Sequence, residues 1–489
     1  MPRPALTTPR TPSPLRTRTS RPSATLAVTG AATAVALMNY TAPMLTLPAT
    51  AAAFGTPDSA RAWLLNGTPL GLAVLLLVAG SLADAHGRRR VFLLGTLALG
   101  AATALGAFAG STLTFTLARI AQGAASAAVL AGSLGLLADA YPSGRDRIRA
   151  TGVWGASVSG GIALGPLLAG ALSLVDWRLA YGVLGLGALV IAAVGARALD
   201  LETAKPPHAP ALETSEPPHA PAPETARPAR RTRPDLPGAL TLGLALAALL
   251  TALTLGRDGW LRAPVTLLLL ASAALTAVFA TIEHRSRTPM VDPALLRRPA
   301  FLASTLGALF TGLAVIGLFS VVPALLQSGA GMSPLGAAWL FVLWSGTAFV
   351  VALHARRLAG RLSAAYQLTL GFALSAAGVL TLLGALEGPW PRLLPGLLVA
   401  GAGSGLLNAA LPRLAVDSVP PERAAMGSGA NNTARYIGSA AGVALTLALT
   451  PAGPDTALLV SAGLALTGAA LTLLLGRRAS PTPRAGRRC

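Results

Sequence analysis

The chain has 489 residues, 53% hydrophobic and only 11% charged, with a formal net charge of +20. So few charges cannot coat a water-soluble protein of this length, which places the chain among membrane proteins. The basic excess could suit nucleic acid, but the arginines do not form one patch; they follow the borders of apolar runs.

Fourteen such runs are readable in chain order, at about residues 24–49, 62–83, 91–109, 112–136, 150–172, 178–198, 236–255, 262–282, 301–326, 335–353, 365–386, 392–412, 425–450 and 455–476. A bilayer core of about 30 Å needs roughly 20 helical residues. The runs therefore predict an all-α, polytopic membrane protein with fourteen transmembrane helices. The basic stretch before the first run resembles the charged region of a signal peptide. The run behind it is too long for a signal core and is interrupted by Asn39, so an uncleaved first helix is expected.

With the N-terminus inside, 31 of the 38 Lys and Arg fall on the cytoplasmic side. Five fall outside (Arg61, Arg178, Arg257, Arg262 and Arg392), and Arg119 and Arg435 lie within runs. Cytoplasmic loops carry the basic excess in membrane proteins. Both termini are therefore expected in the cytoplasm of a bacterial plasma membrane, with the bilayer, and not nucleic acid, as the partner of this charge.

The expected organisation is a basic tail (1–23), a six-helix bundle (24–198), a linker (199–235), two additional helices (236–282), a second six-helix bundle (283–476) and a basic tail (477–489). The linker repeats an approximate 11-residue unit in which Glu202, Glu213 and Glu224 recur. Its proline content favours extended, solvated chain and a tethering role. Docking of a partner is the other reading.

Several chemistries are excluded. Lys205 is the only lysine and follows Ala204, so no phosphate-binding loop exists and nucleotide hydrolysis of that kind is not expected. The five histidines border predicted cytoplasmic segments, unpaired at helical spacing, and the only cysteine is Cys489. No metal site, disulfide, cofactor or enzyme is expected.

Three strings carry the remaining information. The loop after run two reads GSLADAHGRRR: Gly80 allows tight packing, Asp84 supplies an acid, Gly87 turns the chain, and Arg88 and Arg89 anchor it. Run four holds Arg119, Gln122 and Gly123 as R-x-x-Q-G. An arginine at a helix centre costs about 2.5–3.5 kcal/mol on insertion scales, so it faces protein or a wet cavity. Run five carries Gly161, Gly165, Pro166 and Gly170, small packing faces around a bend. Together these strings resemble the major facilitator superfamily, and WLLNGTPLG, DWR, DLPGAL and NNTARYIGSAAGVAL resemble its 14-span drug:proton antiporter family over roughly residues 27–450. Ala169 stands where the antiporter motif has Gly. The resemblance implies a two-bundle carrier exporting a small amphipathic compound by proton antiport and alternating access, functional as a monomer.

One departure matters. The family often places an acid nine residues before a proline in span one; counting back from Pro48 gives Asn39, which cannot exchange a proton near neutral pH. None of the 18 acids falls near the bilayer centre; Asp84, Asp139 and Glu283 sit at predicted helix ends. Arg119 and Arg435 are thus expected to be intramembrane cations without a carboxylate at their depth. One consequence is a cavity that prefers neutral or anionic substrates; the alternative is that amides such as Gln122 and Asn431 merely cap both arginines. Further cavity candidates are Asn39, Tyr40, Thr41, Trp339, Trp344, Asn408, Asn432 and Tyr436. Trp339 and Trp344 stand about 140° apart on a helix, so both should not line one cavity. Outside the export reading stand import or facilitated passage of an organic anion, and a non-transporting sensor or scaffold.

Overall fold

The structure is a computed structural model that describes residues 22–141, 144–199, 236–256, 259, 261–285, 295, 297–358, 362–420 and 424–479. The two tails before 22 and after 479, and the linker repeat, lie outside the described residues. Among the described residues every regular element is helical: α1 (Pro22–Thr41), α2 (Pro43–Phe54), α3 (Arg61–His86), α4 (Arg88–Ala107), α5 (Thr112–Ala140), α6 (Gly144–Leu172), α7 (Trp177–Leu199), α8 (Leu236–Leu255), α9 (Ala263–Arg285), α10 (Pro299–Phe310), α11 (Gly317–Ser328), α12 (Pro334–Leu358), α13 (Ala364–Leu380), α14 (Leu393–Asp417), α15 (Ala424–Leu449) and α16 (Pro454–Ala479), with a few 3-10 turns. Each apolar run coincides with one helical rod, and two rods are composite. Nine helices among the described residues are long and apolar enough to cross a membrane.

Both composite rods have a local cause. The first run is broken between α1 and α2 because Pro43 has no N–H to donate and opens α2 at its first position. The ninth passes through a π-helical segment, Thr311–Ile316, between α10 and α11. There α15 comes so close that a Cβ on Gly312 would stand 2.1 Å from the Arg435 carbonyl oxygen, and one on Gly438 would stand 2.0 Å from that of Leu309. Glycines at such crossings let backbones touch, which is how helices gain packing where lipid offers no hydrophobic drive.

The first and last six rods repeat one pairing scheme. In the first, α3 packs on α5, α4 on α5 and α7, and α1 on α6; in the last, α12 packs on α14, α13 on α14 and α16, and α15 on the π segment and its flanking helices. The halves meet through α3 with α15, α6 with α12, and α2 with α11. The α8–α9 hairpin lies beside this seam: α8 touches both α3 and α15. Asn66 ties the three together, its Nδ2 donating to Thr254 Oγ1 at 3.2 Å and to the Ala440 carbonyl at 3.0 Å. At the end away from the chain termini, Leu47, Ala51, Leu64 and Leu65 form one buried cluster with Val321, Ala324, Val443 and Leu447.

Candidate functional site: a cationic and aromatic layer between the halves

Arg119 is fully buried on α5. Its Nη1 donates to the Asn39 carbonyl at 2.8 Å and to Gln122 Oε1. The first contact follows from the sequence of α1 and α2. In an unbroken helix the Asn39 carbonyl would accept from residue 43, but residue 43 is proline, so that oxygen is left for another donor. The guanidinium group takes the place of the missing N–H. Gln122 in turn donates from Nε2 to the Ala102 carbonyl at 3.2 Å, linking α5 to α4. On its other side Arg119 stands 5.8 Å from the Tyr181 ring centre, a cation–π distance, and Tyr181 shares a 2.8 Å hydrogen bond with Thr46. The Asn39 side chain is also fully buried, and neither amide atom has a described partner. Asn39 thus serves Arg119 through its backbone, although its side chain made it a candidate.

The second cation, Arg435 on α15, is half-buried and donates from Nη2 to Asn408 Oδ1 on α14 at 3.0 Å. Asn431 is not its cap: its Nδ2 turns to the Ser304 carbonyl and hydroxyl, both at 3.0 Å. An amide does meet each arginine, as in the alternative reading, but the one at Arg435 is Asn408 and not Asn431, which projects along the α10 side of α15. Two tyrosines, one from each half, accompany the arginines, Tyr40 on α1 and Tyr436 on α15. Tyr40 and Tyr436 meet edge to face with centres 5.9 Å apart, and the Tyr40 hydroxyl shares a 3.1 Å hydrogen bond with Ser439. Tyr40 lies within electrostatic reach of both guanidinium groups. Beside it is a recess of about 10 Å³, room for about one water, lined by Tyr40, Met44, Leu65, Pro69, Ser320 and Ser439, among others. It is far smaller than the roughly 300–1,000 Å³ that houses drug-sized ligands.

Other candidates are set apart. Asn432 is half-buried one turn before Tyr436 and donates from Nδ2 to the Ser428 carbonyl. Trp344 is buried in a stack on Phe319, centres 4.4 Å apart, whereas Trp339 is 59% exposed. Thr41 Oγ1 returns to the Leu37 carbonyl within its own helix.

The α6 glycines divide their work. A Cβ on Gly161 would stand 2.4 Å from the Ala34 carbonyl oxygen, and one on Gly165 2.8 Å from Met38 Cα, so both press α6 on α1. One on Gly170 would stand 2.9 Å from the Pro334 carbonyl oxygen, across the seam on α12. Pro166 lies inside α6 between these contacts. A Cβ on Gly160, Gly155 or Gly152, toward the terminus-bearing end of α6, would meet nothing within 4 Å.

In the loop motif, Gly87 joins α3 to α4 with φ +98°, a conformation that suits only glycine. Arg88 Nη1 pairs with Asp139 Oδ1 at 2.7 Å and reaches the Gly135 carbonyl at 3.2 Å on α5, while Arg89 donates to the Ala196 carbonyl on α7 at 3.3 Å. Both arginines therefore staple helix ends within the first half. Gly80 does not provide the expected tight packing, because a Cβ there meets nothing within 4 Å. Asp84 lies in the last turns of α3, and its side chain is outside the described residues. Sequence reasoning passed over Pro43, Tyr181, Ser439 and Asn66. Only Pro43 carried a usable signal, since a proline inside an apolar run frees the carbonyl four residues before it.

A family model described as Major Facilitator Superfamily matches residues 29–443, and again 304–488. The chain is 29% identical over 426 residues to multidrug resistance protein Stp of Mycobacterium tuberculosis, covering 86% of this chain and 74% of Stp. It is 31% identical over 428 residues to puromycin resistance protein pur8 of Streptomyces alboniger, covering 86% and 80%. It is 30% identical over 461 residues to cephamycin export protein CmcT of Amycolatopsis lactamdurans, covering 89% and 87%. In fold it is similar to a crystal structure of a peptide transporter POT mutant in complex with sulfate, with a TM-score of 0.67 at 17% identity over 93% of this chain and 94% of that one.

Proposed function

The chain belongs to the Major Facilitator Superfamily, and we propose that it exports a small amphipathic compound, a drug, antibiotic or metabolite, from a bacterial cell by alternating access. The observation that carries this reading is the double contact of α6. Gly161 and Gly165 seat it on α1 in its own half, Gly170 seats it on α12 in the other, and Pro166 lies between. A helix held this way moves the seam when it tilts. The relatives named for multidrug resistance, puromycin resistance and cephamycin export support the outward direction.

In this reading the fourteen rods all cross the plasma membrane as six, two and six, with both termini in the cytoplasm, and one copy suffices. Arg88 and Arg89 keep the cytoplasmic ends of the first half together while the halves rock, and Asp84 contributes to the lock on that side. Pro43, Asn39, Arg119 and Gln122 form the path by which span one senses span four. The proton gradient drives the cycle; its electrical part supplies about 2.3 kcal/mol per charge per 100 mV. The lack of a central carboxylate favours one second reading, facilitated passage of an organic anion without proton exchange.

Energised inside-out membrane vesicles test the proposal. Export predicts accumulation of a fluorescent substrate inside them, abolished by a proton ionophore. Accumulation only in right-side-out vesicles refutes export; accumulation that survives the ionophore leaves export standing and removes the proton.

A further inference from the structure

The two intramembrane arginines lie one in each half, on helices that are not counterparts, α5 and α15, and are held in opposite ways. Arg119 is closed off: 0% exposed, bonded to the Asn39 carbonyl and Gln122, and backed by the Tyr181 ring. Arg435 is open: half-buried, with a single described hydrogen bond, to Asn408. A guanidinium group has five N–H donors in a planar fork, so most of the fork at Arg435 is available. The described ion pairs, Arg61 with Asp58, Arg88 with Asp139 and Arg413 with Asp417, all lie at helix ends. The buried carboxylate of Glu283 sits in the last turn of α9, also at a helix end.

The mounting of Arg435 is rigid. Its backbone oxygen abuts the π segment at Gly312, and Asn408 fixes one edge of its fork. A side chain held on a close-packed backbone with part of its fork committed loses little entropy on meeting a ligand. Tyr436 is the adjacent residue on α15, and its ring meets Tyr40 of the other half. A planar cation on the residue next to an aromatic pair suits a ligand that carries an oxyanion on an aromatic body.

We propose that Arg435 is the anion-recognition residue of the substrate cavity, and that the cargo class is aromatic compounds bearing a carboxylate or a phenolate. This rests on the export reading and names its substrate class. Arg119 has the separate role of bracing the broken first rod.

Fluorescein and rhodamine 6G share a xanthene ring system and carry opposite charges, so they isolate the charge preference. Anisotropy titrations would use the purified full chain in nanodiscs. The wild type is expected to bind fluorescein at least about tenfold more tightly than rhodamine 6G. Arg435→Gln should weaken fluorescein by about that factor and leave rhodamine 6G unchanged or improved, with Arg435→Lys in between. Asn408→Ala, which keeps the cation but frees its fork, should weaken fluorescein by less than Arg435→Gln does and leave it bound more tightly than rhodamine 6G; reversal of the dye preference in this variant counts against Arg435 as the anion-binding group. Thermal midpoints of the variants separate loss of fold from loss of site. Wild type that prefers rhodamine 6G or binds neither dye, or an Arg435→Gln that folds normally and weakens both dyes alike, overturns the proposal. Vesicle export is scored separately: rhodamine exported without fluorescein binding refutes this inference and spares the carrier, while fluorescein bound but never moved does the reverse.

Discussion

Asn39 illustrates how much a single backbone atom can decide. Its carbonyl is free because Pro43 lacks an N–H, and Arg119 fills the vacancy at 2.8 Å. Replacing that proline tests the link. Pro43→Ala restores an N–H that competes for the Asn39 oxygen, so Arg119 is left with Gln122 alone. We expect transport to fall by about tenfold or more while the thermal midpoint changes little, since proline at the first position of a helix carries little penalty. Unchanged transport would show that Arg119 does not work through this carbonyl. At the same scale, the absence of a carboxylate at residue 39 was legible in the sequence, but the use of its main chain was not. Side-chain chemistry can be read one residue at a time; a freed carbonyl matters only when a donor from another helix reaches it.

Among elements, the glycines sort into those that touch and those that do not. Gly438 on α15 has a neighbouring carbonyl where its Cβ would be, whereas Gly80 on α3 faces open space. Gly438→Ala should therefore lower stability by about 1–3 kcal/mol, the usual cost of overpacking. Gly80→Ala should change it by no more than about 0.5 kcal/mol. Thermal unfolding in detergent distinguishes them, and similar drops at both positions would contradict the packing described for α15 and the π segment. Sequence alone treats both glycines alike, because each sits in a Gly-rich apolar run. The motif around Gly80 suggests packing, yet in this conformation the contacts of that loop are made by Arg88 and Arg89.

For the whole molecule, the fourteen rods and the division of basic residues make a topological prediction. Cys489 is the chain's only cysteine, so the native protein is already a single-label reagent. A membrane-impermeant maleimide should leave Cys489 unlabelled in intact cells and label it after permeabilisation. With Cys489→Ser as background, Gly110→Cys, in the exposed turn between α4 and α5, should be labelled in intact cells. Labelling of Cys489 from outside would invert the topology and with it the proposed direction of transport.

That this is a membrane protein of many helices, where its apolar runs lie, and that two arginines sit in such runs far from any acid can all be read along the chain. Those properties are one-dimensional: run length, and the order of charges along the chain. Which polar groups meet was decided only by tertiary structure. Arg435 could have taken Asn431 in its own helix and instead took Asn408 on α14; Tyr40 found Tyr436 and Ser439 across the seam. In water a helix announces its buried face by a stripe of apolar residues. In lipid the outside is as apolar as the inside, so that stripe fades and the rotation of each rod is set by close backbone contacts at glycines and by the few polar groups that must find partners.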